Sequence, residues 1–242
     1  MNENAFQILN YMPYLYKTVQ EEEYINFLWD AFSANYEKEK YQFAFIGYHM
    51  LFMSFVYFSI WKIKINRKKD FVKALIGFNK DCEKSMMNAS SPFTFSEINE
   101  SNIFRFFKLV GCGNDKIGEF TRLVKDRNNI AHSNGNIFFN SQDSLDEKIS
   151  EIFRCVNKIQ ENIKCITKNT FKDFLKNNWD NNNREWQDDR DQIREILIRD
   201  NFFSKNDIEY CLTFDINLLS KEIKFTKIKK LFKTFKKEYI ES

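Results

Sequence analysis

The chain has 242 residues, 43% of them apolar, and a net charge of +3. That size allows one large domain or one domain plus an appendage, and so slight a positive excess does not by itself point to nucleic acid. Only 6 Gly and 2 Pro stand against 27 Phe, which argues against a turn-rich β fold and for long helices around a bulky core.

In chain order, residues 5–19 read as a partly amphipathic helix that Pro13 bends or breaks. Residues 21–37 follow, opening on three glutamates suited to a helix start. The third helix, 40–64, is the most apolar. The fourth, 68–88, sets Phe71, Leu75, Phe78 and Cys82 at helical spacing. The stretch from Asn88 to Thr94 is the clearest internal break. Ser96 then reads as the N-cap of a helix reaching Val110, with Asn99 where a capping box has Glu. Gly111-Cys-Gly-Asn114 ends that helix and starts the next, 115–133, capped by Asn114 or Asp115 and leaving through Gly135. A loop over 136–142 leads to a long helix, 143–177. The polar segment Trp179–Arg184 reads as a boundary, followed by helices at 186–200, 205–212 and 216–238. No alternation long enough for a sheet occurs. The expected fold is all-α: a helical bundle over 1–178 with a C-terminal helical extension over 179–242.

Tyr41 to Trp61 carries no formal charge and is long enough to span a bilayer, with lysines following it. Gln42, His49, Ser54 and Ser59 interrupt it, and the middle helix of a bundle needs the same all-round apolarity. We therefore expect a buried bundle helix and no membrane partner. Cys82, Cys112, Cys155, Cys165 and Cys211 are odd in number and form no C-x-x-C, and the opening residues lack a secretory pattern. Both fit a cytoplasmic protein with reduced thiols. His49 and His132 are the two histidines, and no His/Cys spacing suits a metal. The acidic run Asp188, Asp189 and Asp191 reads as solvated. No phosphate-cradling glycine loop occurs, and Cys112 has no evident base beside it. No cofactor is expected, and His49 reads as a core residue.

On the wheel of helix 115–133, Ile117, Phe120, Leu123, Val124, Ile130 and Ala131 define an apolar face. Arg127 falls in the middle of it, with Asn128 and His132 on its flank. An unpaired buried guanidinium is strongly unfavourable. Three explanations stand open: a carboxylate pairs with it inside the fold, it snorkels to solvent, or this face lines a subunit junction or ligand cleft.

The run Arg127-Asn-Asn-Ile-Ala-His132-Ser-Asn-Gly135 resembles the signature of the HEPN superfamily (higher eukaryotes and prokaryotes nucleotide-binding), in which Arg, four to six residues and His form a ribonuclease motif with a polar residue after the Arg. Four residues separate Arg127 from His132, and Asn128 fills the polar place. The resemblance covers about residues 20–178 and stops short of the C-terminal quarter. It implies a helical bundle that dimerises and cuts RNA without metal, the 2′-OH attacking the adjacent phosphate. His132 would move protons, Arg127 would neutralise transition-state charge, and Asn128 would orient His132 or hold a phosphate oxygen. A symmetric homodimer would bring two such motifs to one cleft. Enzymes of this kind commonly act as toxins or antiphage effectors, with an antitoxin or regulatory partner. The alternative is a non-catalytic HEPN module that binds nucleotide or a partner protein.

At the C-terminal end, Ile228, Leu231, Phe232, Phe235 and Tyr239 share one helical face, while Lys229, Lys230, Lys233, Lys236 and Lys237 cover much of the rest. The plain reading is an amphipathic helix packed on the bundle. RNA-backbone binding by those five lysines, and binding to a membrane surface or partner, are the alternatives.

Overall fold

The computed structural model describes residues 3–132 and 135–240, and it is all-α. Among the described residues there is no strand, and only the isolated bridges Pro13–Ser204 and Ile76–Phe78 occur. The chain divides into two compact units: Met1–Leu9 with Thr18–Ile163, and Asn10–Lys17 with Lys164–Ser242.

The first unit opens with α1, Glu3–Gln7, which passes into a 3-10 turn over Ile8–Tyr11. The predicted helix over 5–19 is therefore cut short, as expected of Pro13, which cannot donate the bond a helix needs there. Helix α2, Val19–Glu37, starts on a capping box in which Thr18 accepts from the Glu21 amide and Glu21 bonds back to the Thr18 amide. Glu21 is buried and also accepts from the Ser91 hydroxyl at 2.7 Å. Helix α3, Tyr41–Asn66, is long and apolar enough to cross a membrane, but it lies mostly buried within its unit. It packs along α2 where Gly47 lets the backbones approach: a Cβ there would stand 3.3 Å from the Phe32 amide nitrogen.

The predicted helix over 68–88 is two helices, α4 (Lys68–Ala74) and α5 (Lys80–Asn88), because Asn79 caps a new start by accepting from the Cys82 amide at 2.8 Å. The 96–110 helix likewise breaks up. Ser91 caps a 3-10 segment at Pro92–Glu97, Asn99 caps the short α6 (Glu100–Ile103), and a 3-10 stretch runs Phe104–Val110. Ser96 caps nothing. Gly111 ends the stretch with φ 81°, a conformation glycine adopts without penalty.

Helix α7, Asn114–Ala131, begins after Gly113, which stands at the N-cap without a side-chain bond, so neither Asn114 nor Asp115 caps it. The exit predicted through Gly135 begins earlier: the chain leaves the helix at His132, while Ser133 and Asn134 lie outside the described residues. Helix α8, Gln142–Asn177, runs from the first unit into the second. In the first, ion pairs tie it to α7: Lys148–Asp126 at 2.8 Å, Arg122–Glu151 at 2.5 Å and Lys158–Glu119 at 2.5 Å.

The second unit has its own core, in which Phe171, Phe174 and Leu175 of α8 pack with Ile193, Leu197, Phe203, Leu231, Phe232 and Phe235. Its elements are α9 (Asp189–Gln192), a π-helical stretch Ile193–Arg199, α10 (Lys205–Leu212), a 3-10 turn Ile216–Leu219 and α11 (Phe225–Ile240). The division thus falls inside α8, not at 178/179. The polar segment read as a boundary is instead a stapled loop of this unit. Arg184, 1% exposed, donates to the carbonyls of Trp186, Asn178 and Gln187 and pairs with Asp189 at 2.6 Å. Asp188 caps α9 and Asp189 holds Arg184, so the acidic run is in part structural.

Candidate functional site

Arg127, Asn128 and His132 lie in the first unit, in the last turns of α7 or at its C-cap. Ile117, Phe120, Leu123, Val124 and Ile130 are buried, as the wheel predicts, whereas Ala131, at the end of the helix, is exposed. Arg127, in the middle of that face, forms an ion pair through Nη2 with Oε2 of Glu100 on α6. Of the three explanations open for a guanidinium there, an internal carboxylate is the one found. The pair is half-buried, with the Arg127 side chain 26% exposed and that of Glu100 25%.

A third group joins them. His49 of α3, fully buried against Phe45 and Phe52, places Nε2 3.3 Å from the same Oε2. Burial holds the His49 pKa below its ordinary value against the pull of Glu100. The imidazole is therefore neutral, and the contact is an Nε2–H donated to a carboxylate. His49 Nδ1 is left buried without a partner. For Glu100, burial works against ionisation, but the hydrogen bonds from His49 and Arg127 prevail and bring its pKa down to about 2. The result is a fixed carboxylate with two donors on one oxygen.

The end of α7 is held separately. Gln42 donates from Nε2 to the Ile130 carbonyl at 3.2 Å and accepts on Oε1 from the Phe138 amide at 3.1 Å. It thereby satisfies a carbonyl of the last helical turn and fastens the segment after the motif. Gln42 and His49 stand two turns apart on α3 and both engage the α6–α7 region. Seven residues at about 100° each return to nearly the same direction, so the two polar side chains share one side of the helix.

His132 is the C-cap of α7, with extended backbone and an exposed side chain, its amide bonded to the Asn128 carbonyl at 3.1 Å. Asn128 is half-buried. Among the described residues, no side-chain hydrogen bond joins Arg127, Asn128 and His132 to one another. The cluster that the fold assembles is Arg127, Glu100 and His49, with His132 presented to solvent nearby along the chain. Glu100 escaped the sequence reading because its helix was expected to start elsewhere. An acidic residue directly after a capping Asn was the signal available.

The five lysines belong to the second unit. Lys229, Lys230, Lys233 and Lys237 are exposed on α11, while Lys236 is half-buried with Nζ 4.9 Å from the Phe232 ring. Ile228, Leu231, Phe232 and Phe235 are buried, so the helix is amphipathic as the plain reading has it, but the core they join is the second unit's own and not that of a bundle over 1–178. Among the described residues, no three His, Cys, Asp or Glu side chains gather as a metal would need. No protein-family model, curated protein or solved structure matches the chain.

Proposed function

We propose that this chain is a metal-independent endoribonuclease of the HEPN kind that works as a homodimer. The carrying observation is the state of the Arg127 guanidinium. Glu100 anchors it through Nη2 and leaves a quarter of the side chain in solvent, five residues before an exposed His132. A guanidinium oriented on one edge and open on the other suits a phosphate oxygen.

The chemistry follows from those groups. A neutral imidazole takes the ribose 2′-OH proton as the 2′-oxygen bonds to phosphorus. The P–O5′ bond breaks, and an imidazolium returns a proton to the departing 5′-oxygen. The products are a 2′,3′-cyclic phosphate and a 5′-OH. Arg127 offsets the charge that builds on the phosphoryl oxygens in the transition state. Glu100 and His49 are positioning residues for Arg127, and Gln42 is one for the helix end. Asn128, whose side chain does not bond His132 in the free chain, holds a phosphate oxygen or meets the imidazole once RNA is bound.

Acid and base are both needed, and each chain offers one exposed histidine, since His49 is buried and neutral. That is the ground for a two-fold dimer. Burial of Arg127 is no longer a ground for it, because Glu100 meets that need within one chain. The same pair favours the second reading, a non-catalytic HEPN-like module that binds a nucleotide or partner protein, in which Arg127 is structural. A toxin or defence role in the cytoplasm, restrained by an antitoxin or other partner, accords with the first.

Incubation of the protein with total RNA in EDTA separates the two. Fragments ending in cyclic phosphate, lost in His132→Ala with helicity and oligomeric state unchanged, support the enzyme. A magnesium requirement, or intact RNA with wild-type protein, removes it.

A further inference from the structure

The first unit carries a cleft of about 420 Å³ lined by Tyr24, Met50, Met53, Tyr57, Phe93 and Glu100. That volume lies in the range of sites for small organic groups, roughly 300–1,000 Å³. Its walls are aromatic and thioether. Phe93 meets Tyr24 edge-on, with ring centroids 5.1 Å apart at 85°, and Tyr57 at 6.4 Å and 80°. Tyr24 and Met50 are exposed, so the cleft opens to solvent.

Beside the hydroxyls of Tyr24 and Ser96, this lining holds two less exposed polar groups that are unengaged. The His49 and Arg127 contacts of Glu100 both fall on Oε2, and Oε1 has no hydrogen-bond partner among the described residues. Tyr57 is only 7% exposed, yet its hydroxyl makes no hydrogen bond among the described residues. Burial, and after it the charge of Glu100, raises its pKa, so it stays an O–H donor at neutral pH. The charges at this end cancel: Glu100 is negative, Arg127 positive and His49 neutral. A cation would gain little there. A neutral planar ring with an N–H on its edge matches both the walls and the open carboxylate oxygen.

We propose that this cleft is a base-binding subsite for single-stranded RNA, in which a nucleobase stacks among Tyr24, Phe93 and the methionines and donates an edge N–H to Glu100 Oε1. The Tyr57 hydroxyl donates to a neighbouring ring nitrogen or carbonyl of the base. The inference rests on the RNA-cleaving reading and names how that site holds its substrate: the base enters beside the carboxylate that anchors Arg127.

The test is binding of fluorescent five-residue RNAs to the full chain carrying His132→Ala, which cannot cut. Oligo(A) is compared with an abasic oligomer and with an oligomer of N6,N6-dimethyladenosine, which lacks the donor. The expected result is tightest binding to oligo(A), weaker binding to the dimethylated oligomer and the weakest to the abasic one. Tyr24→Ala, a surface change, is expected to weaken oligo(A) binding roughly 5- to 150-fold, the range for one base–aromatic stack. Tyr57→Phe is expected to weaken oligo(A) and the dimethylated oligomer alike and to leave the gap between them, because it removes a bond to the ring and spares the N–H donated to Glu100. Equal affinity for all three oligomers, or no effect of Tyr24→Ala, overturns the subsite. Displacement of oligo(A) by tetramethylammonium but not by adenosine also overturns it. If wild-type protein fails to cut RNA while these binding differences hold, the cleavage reading falls and the base subsite stands.

Discussion

Each unit of the molecule holds an arginine against a carboxylate, and the two are used in opposite ways. The Arg184 side chain is 1% exposed and four of its five N–H groups donate, to loop carbonyls or to Asp189. Arg127 is 26% exposed and engages Glu100 through Nη2 alone. The carboxylates divide likewise. Buried Asp207 accepts from Thr167 on Oδ1 and from the Ser204 amide and hydroxyl on Oδ2, whereas Glu100 is engaged on one oxygen. An arginine buried with four such bonds closes a loop and is out of a ligand's reach. An arginine fixed on one edge keeps donors free in a known direction, which is what binding a phosphate requires.

The largest effect expected concerns what Arg127 keeps free. Arg127→Ala should lower RNA cleavage by about 10²–10³-fold, the scale of losing one oriented transition-state donor. Its cost in stability should stay near 1–3 kcal/mol, that of a hydrogen-bonded charge. Kinetics and urea unfolding on the same preparation check both halves. A variant that cuts normally would make Arg127 as structural as Arg184 and erase the contrast.

Arg184→Ala should show the reverse. Removing it strands three carbonyls and Asp189, and breaking a buried pair costs about 3–5 kcal/mol. Cleavage by whatever remains folded should be unchanged per folded molecule. Equal destabilisation by the two alanine variants in urea would show that exposure does not separate these arginines.

Acid sharpens the comparison further. The pKa of Glu100 lies near 2 in the fold against an ordinary 4.5, so its pairing stabilises the native state above about pH 4.5. That stabilisation, up to about 3 kcal/mol, drains away as pH falls from about 4.5 towards 2. His49, kept neutral by burial, acts in the same direction from a higher pH, its contribution fading as pH drops below 6.5. Glu100→Gln should flatten stability against pH between about 4.5 and 2, measured by denaturant unfolding at fixed pH steps. A slope identical to wild type in that window would place the acid sensitivity elsewhere.

The smallest effect belongs to α11. Replacing Lys229, Lys230, Lys233 and Lys237 with Gln should change stability by no more than about 0.5 kcal/mol, as exposed positions do. If they touch RNA, the slope of log affinity against log salt should fall by about 0.7 for each phosphate that a lysine no longer neutralises. An unchanged slope returns this helix to the plain reading, an amphipathic helix whose apolar face serves only the core of its unit.

Only part of the candidate site was legible. Arg127 and His132 stand out in the chain because their spacing and the apolar wheel are local properties of one helix. Glu100 and Gln42 do not, because each takes its meaning from a partner far away in sequence: Glu100 from Arg127 and His49, Gln42 from Ile130 and Phe138. The boundary at 179 misled for the same reason. A polar, turn-prone stretch looks like a linker until Arg184 is seen to satisfy its carbonyls.

Residue order alone was enough for the helical class, for the buried long helix α3 and for the apolar stripes of α7 and α11, since helical period and scarcity of Gly and Pro act within a few turns. Only the tertiary structure decided that Arg127 has an internal carboxylate, that His49 serves it as a neutral donor, and that α8 passes from one core into the other. Those outcomes depend on which groups lose water together, and desolvation is a property of packing that no single segment carries.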